Sequence, residues 1–158
     1  MRPATTAIFI AATLSACAPT RNVDVYAPHT VDGPRLVALV GPLYPWTSEI
    51  EKRLRQNGVT VKRLLPLRSA ARNENRPPAD SEPVPRVVLR INGDAPNTAL
   101  ERCMGGGYKF KFITAELIDL QTEETLGTYS NSGFSEDCAP LSGTIFGDIA
   151  RMVASVFR

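Results

Sequence analysis

The sequence predicts an α/β fold of the α+β kind. One domain over 35–158 carries a mixed, largely antiparallel sheet of about five strands with two helices on one face, in the order βαββββα. Three observations lead there. Only two stretches space their apolar residues at helical intervals, one early and one at the C-terminus. The remaining apolar runs are short, rich in Val, Ile and Leu, and bounded by Gly, Pro or Asn. After the first helix these runs follow one another with no further helical stretch between them, as antiparallel neighbours do.

Each element has a local reason. Arg35-Leu36-Val37-Ala38-Leu39-Val40-Gly41 is almost wholly apolar and reads as a buried strand. Tyr44-Pro45-Trp46-Thr47-Ser48 leads into the first helix, with Ser48 and Glu51 at capping-box spacing. Trp46, Ile50 and Leu54 give it one apolar face, Glu51 and Arg55 an i,i+4 pair, and Gly58 an end. Residues 59–65 form the second strand. Residues 66–85 place Pro77, Pro78, Pro83 and Pro85 among polar residues and predict a long exposed loop. Residues 86–93 resume as a strand, and 94–107 form a polar connection ending in Gly105-Gly106-Gly107. Tyr108 to Leu120 is the longest strand. Tyr108, Phe110 and Phe112 share one face of it, then the apolar set moves to Ile113, Ala115 and Leu117, a change of phase that predicts a bulge. Gln121-Thr122-Glu123-Glu124 turns the chain, and 125–130 returns antiparallel. Ser142-Gly143-Thr144 opens the last helix. Ile145, Ile149, Met152, Val153 and Val156 face the core, with Asp148, Arg151, Ser155 and Arg158 outward.

The amino terminus carries a different signal. Arg2 precedes an apolar run over residues 7–14, too short for the roughly 20 residues that span a bilayer. Leu14-Ser15-Ala16-Cys17 follows. This resembles the lipobox of bacterial lipoproteins, which implies that residues 1–16 are a signal peptide and that Cys17 becomes the lipidated first residue. The resemblance implies a thioether-linked diacylglycerol, usually with an amide-linked acyl chain, and so a stable membrane anchor. Ala18 stands where an aspartate retains such lipoproteins at the inner membrane, which points to the outer membrane, facing the periplasm. Residues 17–34, with Pro19, Pro28 and Asp32-Gly33-Pro34, read as the lipidated cysteine and a flexible tether. Within the tether, residues 23–26 alternate as an edge strand would.

Taking 16 residues from 158 leaves 142, enough for one core. With Cys17 lipidated, Cys103 and Cys138 are an even pair in an oxidising compartment and are expected to form a disulfide. A zinc site there lacks its further ligands, since His29, in the tether, is the only histidine. For the same reason no base stands ready for a nucleophilic serine. Val40-Gly41-Pro42 makes a poor phosphate cradle because Pro42 has no N–H. Glu123-Glu124 and Glu136-Asp137 read as solvated turn acids. No enzymatic activity, cofactor or metal is expected.

Charge is nearly balanced, 18 Lys plus Arg against 16 Asp plus Glu, and excludes the basic character of a nucleic-acid binder. The balance conceals two blocks. Residues 52–76 hold Lys52, Arg53, Arg55, Lys62, Arg63, Arg68, Arg72 and Arg76 against Glu74; residues 112–150 hold seven acids and no Lys or Arg. Two readings stand. Either the blocks neutralise each other across the fold, or Lys52, Arg53, Arg55, Lys62 and Arg63 form a basic contact surface for anionic lipid, lipopolysaccharide or an acidic partner, with head-to-tail self-association a further outcome.

In the order of its elements, with Gly58 between the first helix and Val59-Thr60-Val61, the domain resembles the small α/β domains of envelope-assembly lipoproteins. These include the curli-export channel lipoprotein and the lipoprotein activators of penicillin-binding proteins. That topology implies work by binding other proteins and transfers no site beyond Cys17. The expected function is a membrane-anchored, non-enzymatic scaffold or assembly factor of a cell-envelope complex. The alternative is a module that captures lipid, lipopolysaccharide or peptidoglycan fragments.

Overall fold

Six strand-forming stretches occur among the described residues, and all six join one sheet. The structure, a computed structural model, describes residues 21–25, 30–64 and 83–158. Its elements are β1 (Asn22–Val25), β2 (Leu36–Val40), α1 (Pro45–Gln56), β3 (Thr60–Leu64), β4 (Val87–Asp94), a 3-10 turn at Ala99–Glu101, β5 (Lys109–Asp119), β6 (Thr125–Phe134) and α2 (Ile145–Ser155). The sheet order is β1-β6-β5-β4-β2-β3. β2 runs parallel to β3 and β4, and the other three pairings are antiparallel. The α/β class and single domain with two helices hold. The sheet has six strands rather than about five.

The extra strand corrects the tether. Asn22–Val25 pairs with β6, and Val23 packs partly buried against the core. Further on, Val31 is buried, and its N–H donates to the Val156 carbonyl at 2.7 Å. A four-residue strand that satisfies the backbone of β6 and buries a valine is worth more to the chain than a free linker. The proposed leader 1–16, Cys17, His29 and most of the 66–85 loop lie outside the described residues.

Both helices pack on one face, over Val37, Leu39, Leu89, Ile91, Ile113, Ala115 and Leu117. Trp46, Ile50 and Leu54 point inward from α1 as the spacing requires. Trp46 meets the Phe110 ring edge-on at 5.5 Å, and Phe110 meets Phe146 of α2 at 6.0 Å, which ties both helices to β5. The start of α1 differs from the capping-box reading. The helix begins at Pro45, three residues before Ser48, because proline is pre-set for a first helical turn. Thr47 Oγ1 donates to the Pro42 carbonyl at 2.8 Å and holds that turn. Gly58 follows the helix with φ 75°, as expected.

The change of phase in β5 is a bulge. Phe110 sits opposite Gly133 and Ile113 opposite Asn131, so Lys111 and Phe112 together face Ser132 alone. The parity therefore flips, and Phe112, grouped above with Phe110, turns out: it is 44% exposed against 2% for Phe110. Asp148 is a further correction. It faces inward from α2, its side chain 1% exposed, because two arginines and a threonine meet it there.

Candidate functional site

The five cations expected to form one contact surface are divided by the sheet. Lys52, Arg53 and Arg55 lie on α1, and Arg63 on β3 points to the same face. Arg55 Nη2 donates to Glu51 Oε1 at 2.7 Å, and Arg63 Nε to Glu51 Oε2 at 2.9 Å, with a further bond from Arg63 to Ser48 Oγ. Glu51 thus clamps the edge strand to the helix. Its partial burial raises its pKa, but the Arg55 bond and both arginine charges outweigh that and hold it below the usual range. Lys52 reaches Glu49 at 3.7 Å, and Arg53 reaches Asp137 at 4.0 Å. Lys62 alternates to the helix-free face, opposite Ala38, and is itself engaged. These cations form a local ionic girdle rather than one open patch. Arg68, Arg72 and Arg76 lie outside the described residues.

The acidic block is met largely from elsewhere. Asp119 takes Arg86 at 2.6 Å, Glu116 takes Arg90 at 3.1 Å, and Asp148 takes Arg21 at 3.1 Å and Arg151. Arg53–Asp137 joins the two blocks directly. Glu136 has a backbone role. Its carboxylate accepts from the Phe146 and Gly147 N–H groups at 3.1 and 2.7 Å, and so caps α2, whose own Thr144 makes no side-chain cap.

Glu136 and Asp137 follow β6 at one end of the sheet, here the upper end, where β2, β3, β4 and β6 finish and β1 and β5 begin. The Cys103–Cys138 disulfide crosses it and joins the connection before β5 to the loop after β6. The triglycine is the turn beside it, with Gly105 and Gly106 at φ 103° and 91°. Between the bulged end of the β5–β6 hairpin and the loop 140–144 lies a groove of about 970 Å³. Phe110 and Phe134 supply aromatic surface, Leu141 an apolar wall, Ser132 and Thr144 hydroxyls, and Arg21 and Lys109 positive charge. Lys109 stands over the Phe134 ring at 5.4 Å.

Below the groove, the Tyr129 hydroxyl accepts from the Asn131 amide at 2.8 Å. Burial pushes the Tyr129 phenol up to about 12, against the pull of Asn131 and with the Asp148 charge adding to it. Tyr129 is therefore a neutral structural group near pH 7. On the helix-free face, a smaller hollow of about 310 Å³ is lined by Asn22, Asn92, Thr114, Thr128 and Ser130 beside the Arg90–Glu116 pair. Among the described residues no three His, Cys, Asp or Glu side chains are grouped to hold a metal ion. The upper groove can hold a ligand or a peptide segment by stacking and hydrogen bonding. Sequence reasoning missed it because Arg21, Lys109 and Thr144 are far apart in the chain and no motif spaces them. The bulge at Phe112 was the available signal, since bulges re-aim side chains at strand ends.

No family model matches the chain, and no curated protein matches it. Solved structures that align with the chain include two of PelC. A single-residue variant of the PelC dodecamer from Paraburkholderia phytofirmans aligns at TM-score 0.41 and 16% identity, over 88% of this chain and 94% of that one. A second PelC dodecamer structure from the same organism gives 0.40 and 18% over the same shares. Likeness of that size carries no argument about what this chain does.

Proposed function

We propose that this chain is a lipid-anchored, periplasm-facing lipoprotein of the outer membrane, acting without catalysis as a scaffold or assembly factor of a cell-envelope complex. One observation carries the reading: the lipobox cysteine stands five residues ahead of a strand built into the sheet. Lipid on Cys17 would hold the domain itself at the membrane, with no room for a further module between them. A domain so placed serves best by presenting surface to neighbours in the same envelope. The test is cross-linking in intact cells, wild type beside Cys17→Ala. Wild type is expected to capture envelope proteins that the variant loses while keeping its fold. Capture of no envelope protein by wild type would sink the scaffold reading.

The groove favours one second reading, capture of an amphiphilic envelope ligand such as lipid, lipopolysaccharide or a peptidoglycan fragment. It joins aromatic and apolar surface to Arg21 and Lys109. Titration of lipopolysaccharide into the protein separates the two readings. Ligand capture requires binding that weakens in Arg21→Ala and Lys109→Ala and as salt rises.

A further inference from the structure

We infer, on the reading that Cys17 is lipidated, that the upper end of the domain rests on the bilayer and puts Leu43, Leu100, Met104 and Leu141 into its interface. Two independent observations carry this: the reach of the anchor and the distribution of exposed apolar side chains.

Reach comes first. Asn22 lies level with Ser130 and Thr114 in the sheet. From Ser130, β6 climbs four residues to Phe134, about 14 Å at 3.4 Å per residue. From Thr114, β5 descends to Asp119 and then Leu120, about 20 Å. The five residues from Cys17 to Asn22 span at most about 17 Å when fully extended. The anchor therefore clears the upper end and falls short of the lower. Arg21 agrees with this: immediately before β1 it pairs with Asp148 in the first turn of α2, which starts at the upper end. The chain thus comes to β1 from above.

Exposure is the second observation. Among the described residues ten large apolar side chains stand exposed. Val25, Val84 and Leu120 lie toward the lower end, and the other seven lie toward the upper. Leu43 follows β2, Leu100 (99% exposed) and Met104 lie in the connection to β5, and Leu141 forms the groove wall. A rim of separate apolar tips is poor material for a dry protein interface and suits shallow insertion among lipid headgroups. Charge does not drive it. The described loops of this end, with the ends of β4, β5 and β6, hold Arg21, Arg102, Lys109 and Lys111 against Asp94, Glu101, Glu136 and Asp137, which cancel, and Lys62 and Arg63 at the end of β3 are already engaged, Arg63 with Glu51. The contact is thus apolar and indifferent to lipid charge.

The experiment uses full-length protein purified from envelopes, with a fluorophore on Leu43→Cys, Leu141→Cys, Leu120→Cys or Asp24→Cys. Each is reconstituted in phosphatidylcholine vesicles whose acyl chains carry bromine as quencher. Insertion of a leucine favours the inserted state on the order of tenfold. Quenching is therefore expected at 43 and 141, with none at 120 or 24, and the same pattern when phosphatidylglycerol is added. Equal quenching at both ends, or quenching at 24 alone from an edge-on pose, overturns the inference and leaves the anchor standing. Intact mass of the same samples tests the anchor separately. A Cys17 without a lipid adduct removes the anchor reading and the inference with it.

Discussion

Phe110 and Phe112 are two residues apart and chemically identical, yet one is core and the other surface. The bulge between them decides this, and mutation should read it directly. Phe110→Ala is expected to cost about 3–5 kcal/mol, since it opens a cavity between β5 and both helices. Phe112→Ala is expected to cost less than about 1 kcal/mol. Urea unfolding of the two variants checks the difference, and similar losses would mean that the register shift is absent. Asp119 is the second telling residue. It is buried, accepts three short bonds from Arg86 and one from the Gln121 N–H at 2.9 Å. The Arg86 bonds hold its carboxyl below the usual range, against the opposing effect of burial. A depressed carboxylate contributes stability above its unfolded pKa of about 3.9 and loses it as pH falls through the lower folded value. Arg86→Ala is therefore expected to cost roughly 2 kcal/mol at pH 7, by leaving a buried carboxylate short of donors. That gap should narrow in acid, which unfolding at pH 7 and near pH 3 would show. A gap independent of pH would rule out the ion pair as its source.

At the level of elements, the chain borrows caps from a distance. α2 has no side-chain cap of its own, and the carboxylate ten residues upstream does the work. Glu136→Ala is expected to destabilise the protein by about 1–2 kcal/mol. Amide exchange should quicken at Phe146 and Gly147 and not along the rest of α2. This arrangement also shows what the sequence makes legible. Periodicity found both helices, five strands and the bulge, because each depends on neighbours within a few residues. The inward turn of Asp148 was hidden because its partner Arg21 lies on β1's doorstep, more than a hundred residues away. Distance along the chain also hid the groove, and the role of Glu136 was hidden because a helix cap is sought beside its helix and this one stands ten residues before Phe146. The basic block was visible as composition, but its division into Glu51-centred pairs and an opposed Lys62 follows from strand parity and helix packing. The edge strand was visible as an alternation over 23–26, and only the free edge of β6 turns that alternation into a sixth strand.

At the level of the molecule, the Cys103–Cys138 bond ties the upper end together across 35 residues of sequence. Replacing both cysteines by serine is expected to cost about 3–4 kcal/mol in the chain-entropy account. Urea midpoints of oxidised wild type and the double variant measure it, and equal midpoints would show that the loop is already constrained without the bond. The order of the sheet has a consequence of another kind, for how the molecule comes into being. β1 pairs with β6, Asn22 opposite Ser130, so a strand near the start of the chain waits for one near its end. Closing a loop of about a hundred residues costs roughly 4 kcal/mol of chain entropy, repaid only once β6 is held by β5. On the proposed reading, in which the chain is exported from its N-terminus, β1 would be the first strand to arrive and the last to be seated. Enzymes that modify Cys17 would meet a loose chain, and the edge would close afterwards, on a molecule already attached. Its amides should also be the first to exchange in the finished protein, since the strand that docks last is the one whose release disturbs least.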